Sequence, residues 1–287
     1  MRILLFLLAT IVCGFAAEKP NIVFILADDL GIGDVRAFNK DSKIPTPNFD
    51  RLAAGGMKFT DAHTPSSVCT PTRYGLLTGR YNWRSRLQNG VLGGDSPPLI
   101  EPERVTVAAM LKEQGYATAA IGKWHLGLDW SKNGGKSDEV GEETADGPMR
   151  KLDFSKPFAN GPTTLGFDYF FGISASLDMA PYTFLENDRC TVVPTKVATF
   201  PMMEDRPDGA QTRKGPAAEG FDAKAVLPTC TAKAVEWIGK TAKTGKPFFL
   251  YLPMNAPHTP SVPTPEFNGK SNLNSYADFV MQVDASV

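Results

Sequence analysis

Residues 21–29 read NIVFILADD, a short apolar run that stops at two adjacent acids. A run this short and uniformly apolar reads as a strand buried on both faces, as in a parallel sheet. The segments after it fit that frame. TPNFDRLAAGG (46–56) offers Thr46 as an N-cap, Pro47 at the first helical position and Gly55-Gly56 as the stop. MKFTDAHT (57–64) alternates like a second strand. Residues 105–114 form an amphipathic helical pattern ended by Gly115, and 116–121 a strand. A long helical pattern covers 222–243, and 247–252 reads as a strand ending near Pro253. Short apolar strands alternating with helices predict an α/β fold, a mostly parallel sheet flanked by helices. Two polar, Gly-rich stretches, 129–166 and 187–220, read as excursions that shape a cleft or simply vary.

The first residues carry a different signal. Arg2 precedes the apolar run 3–12, and Gly14-Phe15-Ala16 is a small-x-small cleavage pattern. Residues 1–16 are therefore expected to be a secretory signal peptide, too short to span a bilayer comfortably. No later run is long enough to span, so secretion or export to a periplasm is expected, without stable membrane insertion. The absence of any Asn-x-Ser/Thr site leans toward a bacterial protein. A net charge of −1 gives no argument for nucleic-acid binding. Cys13 would leave with the signal, and Thr10, Ile11 and Val12 make a poor lipoprotein cleavage site. Cys69, Cys190 and Cys230 then remain, an odd number in an oxidising compartment. Cys190 and Cys230 could bridge each other.

Chemistry in an open parallel sheet collects beyond the carboxyl ends of its strands. Three such ends carry unusual polar groups. The first ends in Asp28-Asp29, the strand at 116–121 runs into GKWHLG with Lys123 and His125, and the strand at 247–252 runs into MNAPHTP with Asn255 and His258. Adjacent acids are costly to hold together without a cation, and a hard ion would satisfy both; a solvated turn or a helix cap is the plainer reading of the pair alone. His125 alone could be a satisfied core histidine and Lys123 a surface charge. His63 reads as structural.

SVCTPTRYGLLTGR (67–80) is the most specific stretch. Pro71 suits the first turn of a short helix at 71–77, which puts Cys69 just before a helix N-terminus, where free N–H groups favour an anion. Arg73, one turn along, adds a fork of donors matched to sulfate or phosphate oxygens. The site suits a tetrahedral oxyanion, and Cys69 is placed to touch it. A buried thiol or half a disulfide are the alternatives; the polar, Pro-rich setting argues against the first and the anion-binding neighbours against the second.

Cys69-x-Pro71-x-Arg73 followed by YGLLTGR resembles the signature of type I sulfatases, the arylsulfatase branch of the alkaline-phosphatase-like superfamily. NIVFILADDLGIGD, GKWHLG, GFDYFFG (166–172) and NAPHTP resemble that family's further landmarks in the same order. The resemblance covers essentially all of 17–287 and implies the N-terminal part of a sulfatase catalytic domain. It implies that a maturation enzyme oxidises Cys69 to formylglycine, whose hydrate attacks sulfur. It implies Ca²⁺, before Mg²⁺, held by Asp28, Asp29 and the modified Cys69. Arg73 and Lys123 would hold the diol and the developing charge, His125 would take the diol proton, and His258 would donate toward the leaving alcohol. The substrate would be a sulfated small molecule or glycan.

The family pattern also has a later Asp-Asn pair on the metal and a later lysine on the sulfate. In that pattern both follow the helix at 276–287, and no candidate for them is present in the sequence. The expectation is therefore a C-terminally truncated chain, itself weak or inactive and poor at binding Ca²⁺, with apolar surface near Phe279 and Val283 uncovered. Two other readings stay open: a phosphate or phosphonate monoester hydrolase of the same superfamily, and a non-catalytic secreted binding protein.

Overall fold

The computed structural model describes residues 19–131 and 151–287. The expected signal segment 1–16, and much of the excursion at 129–166, lie outside the described residues. In chain order the elements are β1 (Ile22–Asp28), α1 (Pro47–Gly55), α2 (Cys69–Thr78), α3 (Val107–Glu113), β2 (Ala117–Lys123), β3 (Tyr169–Ile173), β4 (Leu185–Glu186) and β5 (Arg189–Cys190). They continue with β6 (Lys196–Ala198), β7 (Gly215–Ala217), α4 (Val226–Ala242), β8 (Phe248–Pro257) and α5 (Ser275–Ser286).

The main sheet has the order β1-β8-β2-β3-β4-β5. The pairs β1–β8, β8–β2 and β2–β3 are parallel, and β4 and β5 add an antiparallel hairpin. This is the mostly parallel α/β sheet that the alternation predicts. β8 is buried along its whole length. Its alternate residues serve opposite faces: Phe249 and Tyr251 join one core, Leu250, Leu252 and Met254 the other. The first core packs against α2 and α3 through Tyr74, Leu77 and Ala108. The second packs against α4 and α5 through Leu227, Cys230, Phe279 and Val283. A strand buried on both faces has to be apolar at every position, which is why no alternation shows in its sequence.

The structure departs from several expectations. Residues 57–64 form no strand; Met57 and Phe59 are exposed, and no strand among the described residues pairs with the segment. Alternation prepares a strand, but only ladder hydrogen bonds make one. His63 in that segment is exposed and paired with Asp61 Oδ1 at 2.6 Å, away from any core. The expected strand at 247–252 runs on to Pro257, so Asn255 lies within β8. Cys190 and Cys230 are free thiols. They pack into cores on opposite faces of the sheet, which rules out the bridge, and burial pushes each thiol pKa up to about 12. Phe279 and Val283, expected to be uncovered, are 1% and 0% exposed against α4 and β8. The edge strand β1 instead exposes Val23 and Phe24.

Thr46 does precede α1, but its hydroxyl does not cap the helix. It accepts from Arg36 N at 3.0 Å. The cap comes from α5: the buried Asp284 carboxylate accepts from Phe49 N at 2.8 Å, Asn48 N at 3.1 Å and Asn48 Nδ2 at 3.0 Å. An acid at a helix N-terminus satisfies orphan donors and the helix dipole together. Asp284→Ala is expected to lower the unfolding free energy by about 1–3 kcal/mol, read as a reduced urea midpoint at unchanged slope. A midpoint within error of the parent would contradict the cap.

Candidate active site

The carboxyl ends of β1, β2 and β8 converge on the N-terminus of α2. A cleft of about 190 Å³ lies between the end of β1 and the start of α2, lined by Asp28, Asp29, Thr64, Ser66, Cys69 and Arg73, among others. Cys69 is the first residue of α2, not the residue before it, and is partly exposed. The N-cap is Val68, which has no oxygen to offer, and no side chain caps the helix. Pro71 has no N–H, and Thr72 N is used by Val68 O at 3.1 Å. The helix start thus presents the amides of Cys69 and Thr70 beside the cysteine, a setting that favours an anion.

Below the cysteine lies a buried charge cluster. Asp28 Oδ2 accepts from Lys123 Nζ at 2.5 Å, and Asp28 Oδ1 faces Arg73 Nη2 at 3.3 Å. All three side chains are buried. Burial opposes the ionised form of Asp28, but Lys123 and Arg73 outweigh it and hold the carboxyl well below the usual range. Arg73 Nη1 also donates to the Lys123 carbonyl at 2.6 Å, tying α2 to the end of β2. β2 can end this way because Gly122 has φ 131°, and a Cβ there would lie 2.1 Å from Pro253 O of β8.

The two histidines differ in kind. His125 is fully buried, and its Nε2 lies 2.7 Å from Leu92 O. A carbonyl can only accept, so Nε2 carries the hydrogen and Nδ1, buried without a partner among the described residues, keeps its lone pair. Burial first, then the Lys123 and Arg73 charges, push its pKa well below the ordinary value. It is a neutral imidazole with an unused base. His258 is half-buried, with Nε2 3.6 Å from Asp29 Oδ2. Burial works against its charge, but pairing with Cys69 and the Asp28 charge raise its pKa on balance, against a further depression from Lys123. One ring is set up to accept a proton and the other to hold one.

Backbone strain marks the same residues. Among the described residues, five non-glycine residues have positive φ; three are asparagines, and the other two are Asp29 at 62° and His125 at 55°. Asp28, Asp29 and Cys69 bring ligand atoms within 4.8 Å of one another, the kind of group that can hold a cation. Of the residues named from the sequence, Asp28, Asp29, Cys69 and Arg73 line the cleft, Lys123 and His258 contact the two aspartates, and His125 is buried near Lys123 and Arg73 without lining the cleft. Sequence reasoning missed Ser176, just beyond β3. Its hydroxyl receives a hydrogen bond from Lys123 Nζ at 3.1 Å and lies 3.3 Å from His258 Nδ1, linking the two. The strand-end rule would have found it had 169–173 been read as a strand. Asn255, buried in β8, leaves its Nδ2 without a partner.

A sulfatase family model matches residues 20–287. The chain belongs to the sulfatase family. Its type I, arylsulfatase A-like character follows from its relatives. It is 35% identical to an N-acetylgalactosamine-6-O-sulfatase of Bacteroides thetaiotaomicron over 96% of this chain and 55% of that protein. It is 34% identical to human arylsulfatase A over 98% of this chain and 50% of the relative. Among solved structures, a Bacteroides thetaiotaomicron protein described with metabolism of glycosaminoglycans superposes with a TM-score of 0.75 at 35% identity, over 94% of this chain and 58% of its own. A Pseudoalteromonas sulfatase superposes at 0.64 with 24% identity, over 94% of this chain and 50% of its own, a likeness of fold alone. The sulfatase chain spans about half the length of the curated relatives it matches. The fold is the alkaline-phosphatase-like α/β fold of these neighbours.

Within this sulfatase the buried cluster makes a stability prediction. Asp28→Asn leaves Arg73 and Lys123 buried without their counter-charge and is expected to cost about 3–5 kcal/mol. Combining it with Lys123→Met should cost clearly less than the sum of the two single changes, because the pair is removed together. Additive losses in urea titrations of the four proteins would show that the two groups are not coupled.

Proposed function

We propose that the protein carrying this site hydrolyses sulfate esters, with Cys69, converted to formylglycine by a maturation enzyme, as the nucleophile. The observation that carries this reading is a small cleft lined by Cys69, Arg73, Asp28 and Asp29, with Lys123 bonded to Asp28 beneath it and His258 3.6 Å from Asp29 beside it. Each part has a job in moving sulfate. One hydroxyl of the hydrated aldehyde gives up its proton to water as it attacks sulfur, the bond from sulfur to the ester oxygen breaks, and the alcohol leaves with a proton from His258. The second hydroxyl gives its proton to His125 Nδ1, the carbonyl re-forms, and sulfate departs. Water then rehydrates the aldehyde. Arg73, Lys123 and the amides of Cys69 and Thr70 stabilise the charge that grows on the sulfate oxygens. Ser176 keeps the Lys123 ammonium and the His258 ring in a fixed relation.

The donor set also fits a hard cation in kind. Asp28 and Asp29 offer carboxylate oxygens, and oxidising Cys69 would replace a soft sulfur with oxygen. Ca²⁺ bound there would polarise the sulfate oxygens. Ca²⁺ takes about six to eight oxygens, and two carboxylates are part of such a shell. This chain alone is therefore expected to bind Ca²⁺ weakly. Submicromolar binding by calorimetry would contradict that expectation.

Export of the mature chain from residue 17 belongs to the same proposal. The family and the relatives' names support a sulfated sugar or aryl sulfate as substrate. One relative's name specifies an N-acetylgalactosamine 6-sulfate linkage, and that sugar is the first substrate to try. Peptide mass spectrometry of residues 67–73 from active full-length protein is expected to show sulfur replaced by oxygen at Cys69. Cys69→Ala is expected to abolish turnover and Cys69→Ser to stall after one event, since one hydroxyl cannot perform both steps. Near-parental steady-state turnover in either variant would overturn the mechanism. Faster turnover of an aryl phosphate than of the matching aryl sulfate would overturn the substrate class.

A further inference from the structure

The turn after α2 carries two aromatic rings that no described residue covers. Tyr81 and Trp83 are 51% and 57% exposed, and their rings stack with centroids 5.4 Å apart and planes 12° apart. The turn beneath them is tightly tied. The buried Asn82 donates from Nδ2 to Leu87 O at 2.9 Å, and Ser85 Oγ donates to Asn82 O at 2.6 Å. Gln88 Nε2 donates to Trp83 O at 3.1 Å and Ser85 O at 2.7 Å. The rings are thus held on a preorganised support, which lowers the cost of binding to them.

The charges beside the rings are not equivalent. Arg80 lies 3.9 Å from Glu101, and Arg86 donates to the Pro97 and Pro98 carbonyls. Arg84 is exposed, and its guanidinium has no hydrogen bond or ion pair among the described residues. One uncommitted guanidinium therefore sits beside a rigid pair of exposed rings. Flat amphipathic rings suit the apolar faces of sugars, and a guanidinium fork matches the oxygens of a sulfate group. One free cation beside the rings, on a chain of net charge −1, does not suit a nucleic-acid backbone.

We propose that Tyr81, Trp83 and Arg84 form a docking platform for a sulfated oligosaccharide, separate from the chemical centre. The platform stands at the far end of the helix that starts with Cys69. Ten helical residues span about 15 Å, and only Gly79 and Arg80 lie between α2 and Tyr81. A monosaccharide is shorter than that span, whereas an oligosaccharide of several sugars is longer. The choice of a sulfated ligand rests on the proposed reaction; binding itself requires no turnover.

The test is a calorimetric titration in the Cys69→Ala background with a chondroitin 6-sulfate hexasaccharide and its chemically desulfated counterpart. Trp83→Ala is expected to weaken binding of the sulfated hexasaccharide about tenfold. Arg84→Gln is expected to weaken the sulfated ligand and leave the desulfated one unchanged. Circular dichroism should be unaltered, since both side chains are exposed. With the cysteine restored in full-length protein, Trp83→Ala should raise KM for the hexasaccharide at constant kcat and leave aryl-sulfate kinetics alone. Unchanged affinity in Trp83→Ala, or equal affinity of the parent for the desulfated sugar, would overturn the platform. Absence of aryl-sulfate turnover in the parent would instead overturn the proposed reaction, and the titration reads independently of it.

Discussion

Asp28, Lys123 and Arg73 come from the ends of β1 and β2 and from the first turn of α2, and they meet in the interior. Three buried charges in contact are tolerable only as a set. Their geometry fixes where α2 begins relative to the sheet, because Arg73 holds both the Asp28 carboxylate and the Lys123 backbone. The position of Cys69 follows, since it lies one helical turn from Arg73 on the same face. The rest of the cleft is arranged around that turn. His125 follows Lys123 past a left-handed backbone step, and Ser176 spans from the Lys123 ammonium to His258.

The same arrangement explains how a small site can carry several tasks without a large pocket. Helix amides and two cations supply a fixed positive field, which needs no rearrangement as charge develops. The two histidines sit in surroundings that push their pKa values in opposite directions. Apart from three asparagines, the positive φ values among the described non-glycine residues fall on Asp29 and His125, both near the cleft, where a packed scaffold over-determines a few unfavourable conformations.

Much of this was legible in the sequence. The strand at 21–29, the helix–strand unit at 105–121 and the Cys69–Arg73 spacing are local patterns, and each appeared within a residue or two of its expected place, although the first strand lies at the sheet edge and exposes Val23 and Phe24 instead of being buried on both faces. The site residues were legible because strand ends in a parallel sheet point to one edge, so their identities could be pooled before their distances were known. What failed was long-range. Residues 57–64 alternate like a strand but have no partner. The Cys190–Cys230 bridge was arithmetic on a count, and the sheet lies between the two residues. Thr46 looked like the cap of α1, yet Asp284, far along the chain, supplies it. Ser176 lies just past a strand end that was not read as a strand, and its role shows only once Lys123 and His258 are found beside it.

The sequence by itself determined the alternation of elements, the chemistry available at each strand end and the anion-binding turn around Cys69. Those features depend on helical and strand periods and on turn residues, which act over a few positions. Only the tertiary structure decided how that chemistry is poised. His125 and His258 are the same side chain, each just past the end of a buried strand. One is neutral because it lies in the interior beside two cations, and the other has a raised pKa because it stands at the rim beside Cys69 and Asp28. Burial and charge separation set that difference, and both are properties of chains folded against each other rather than of neighbours in sequence.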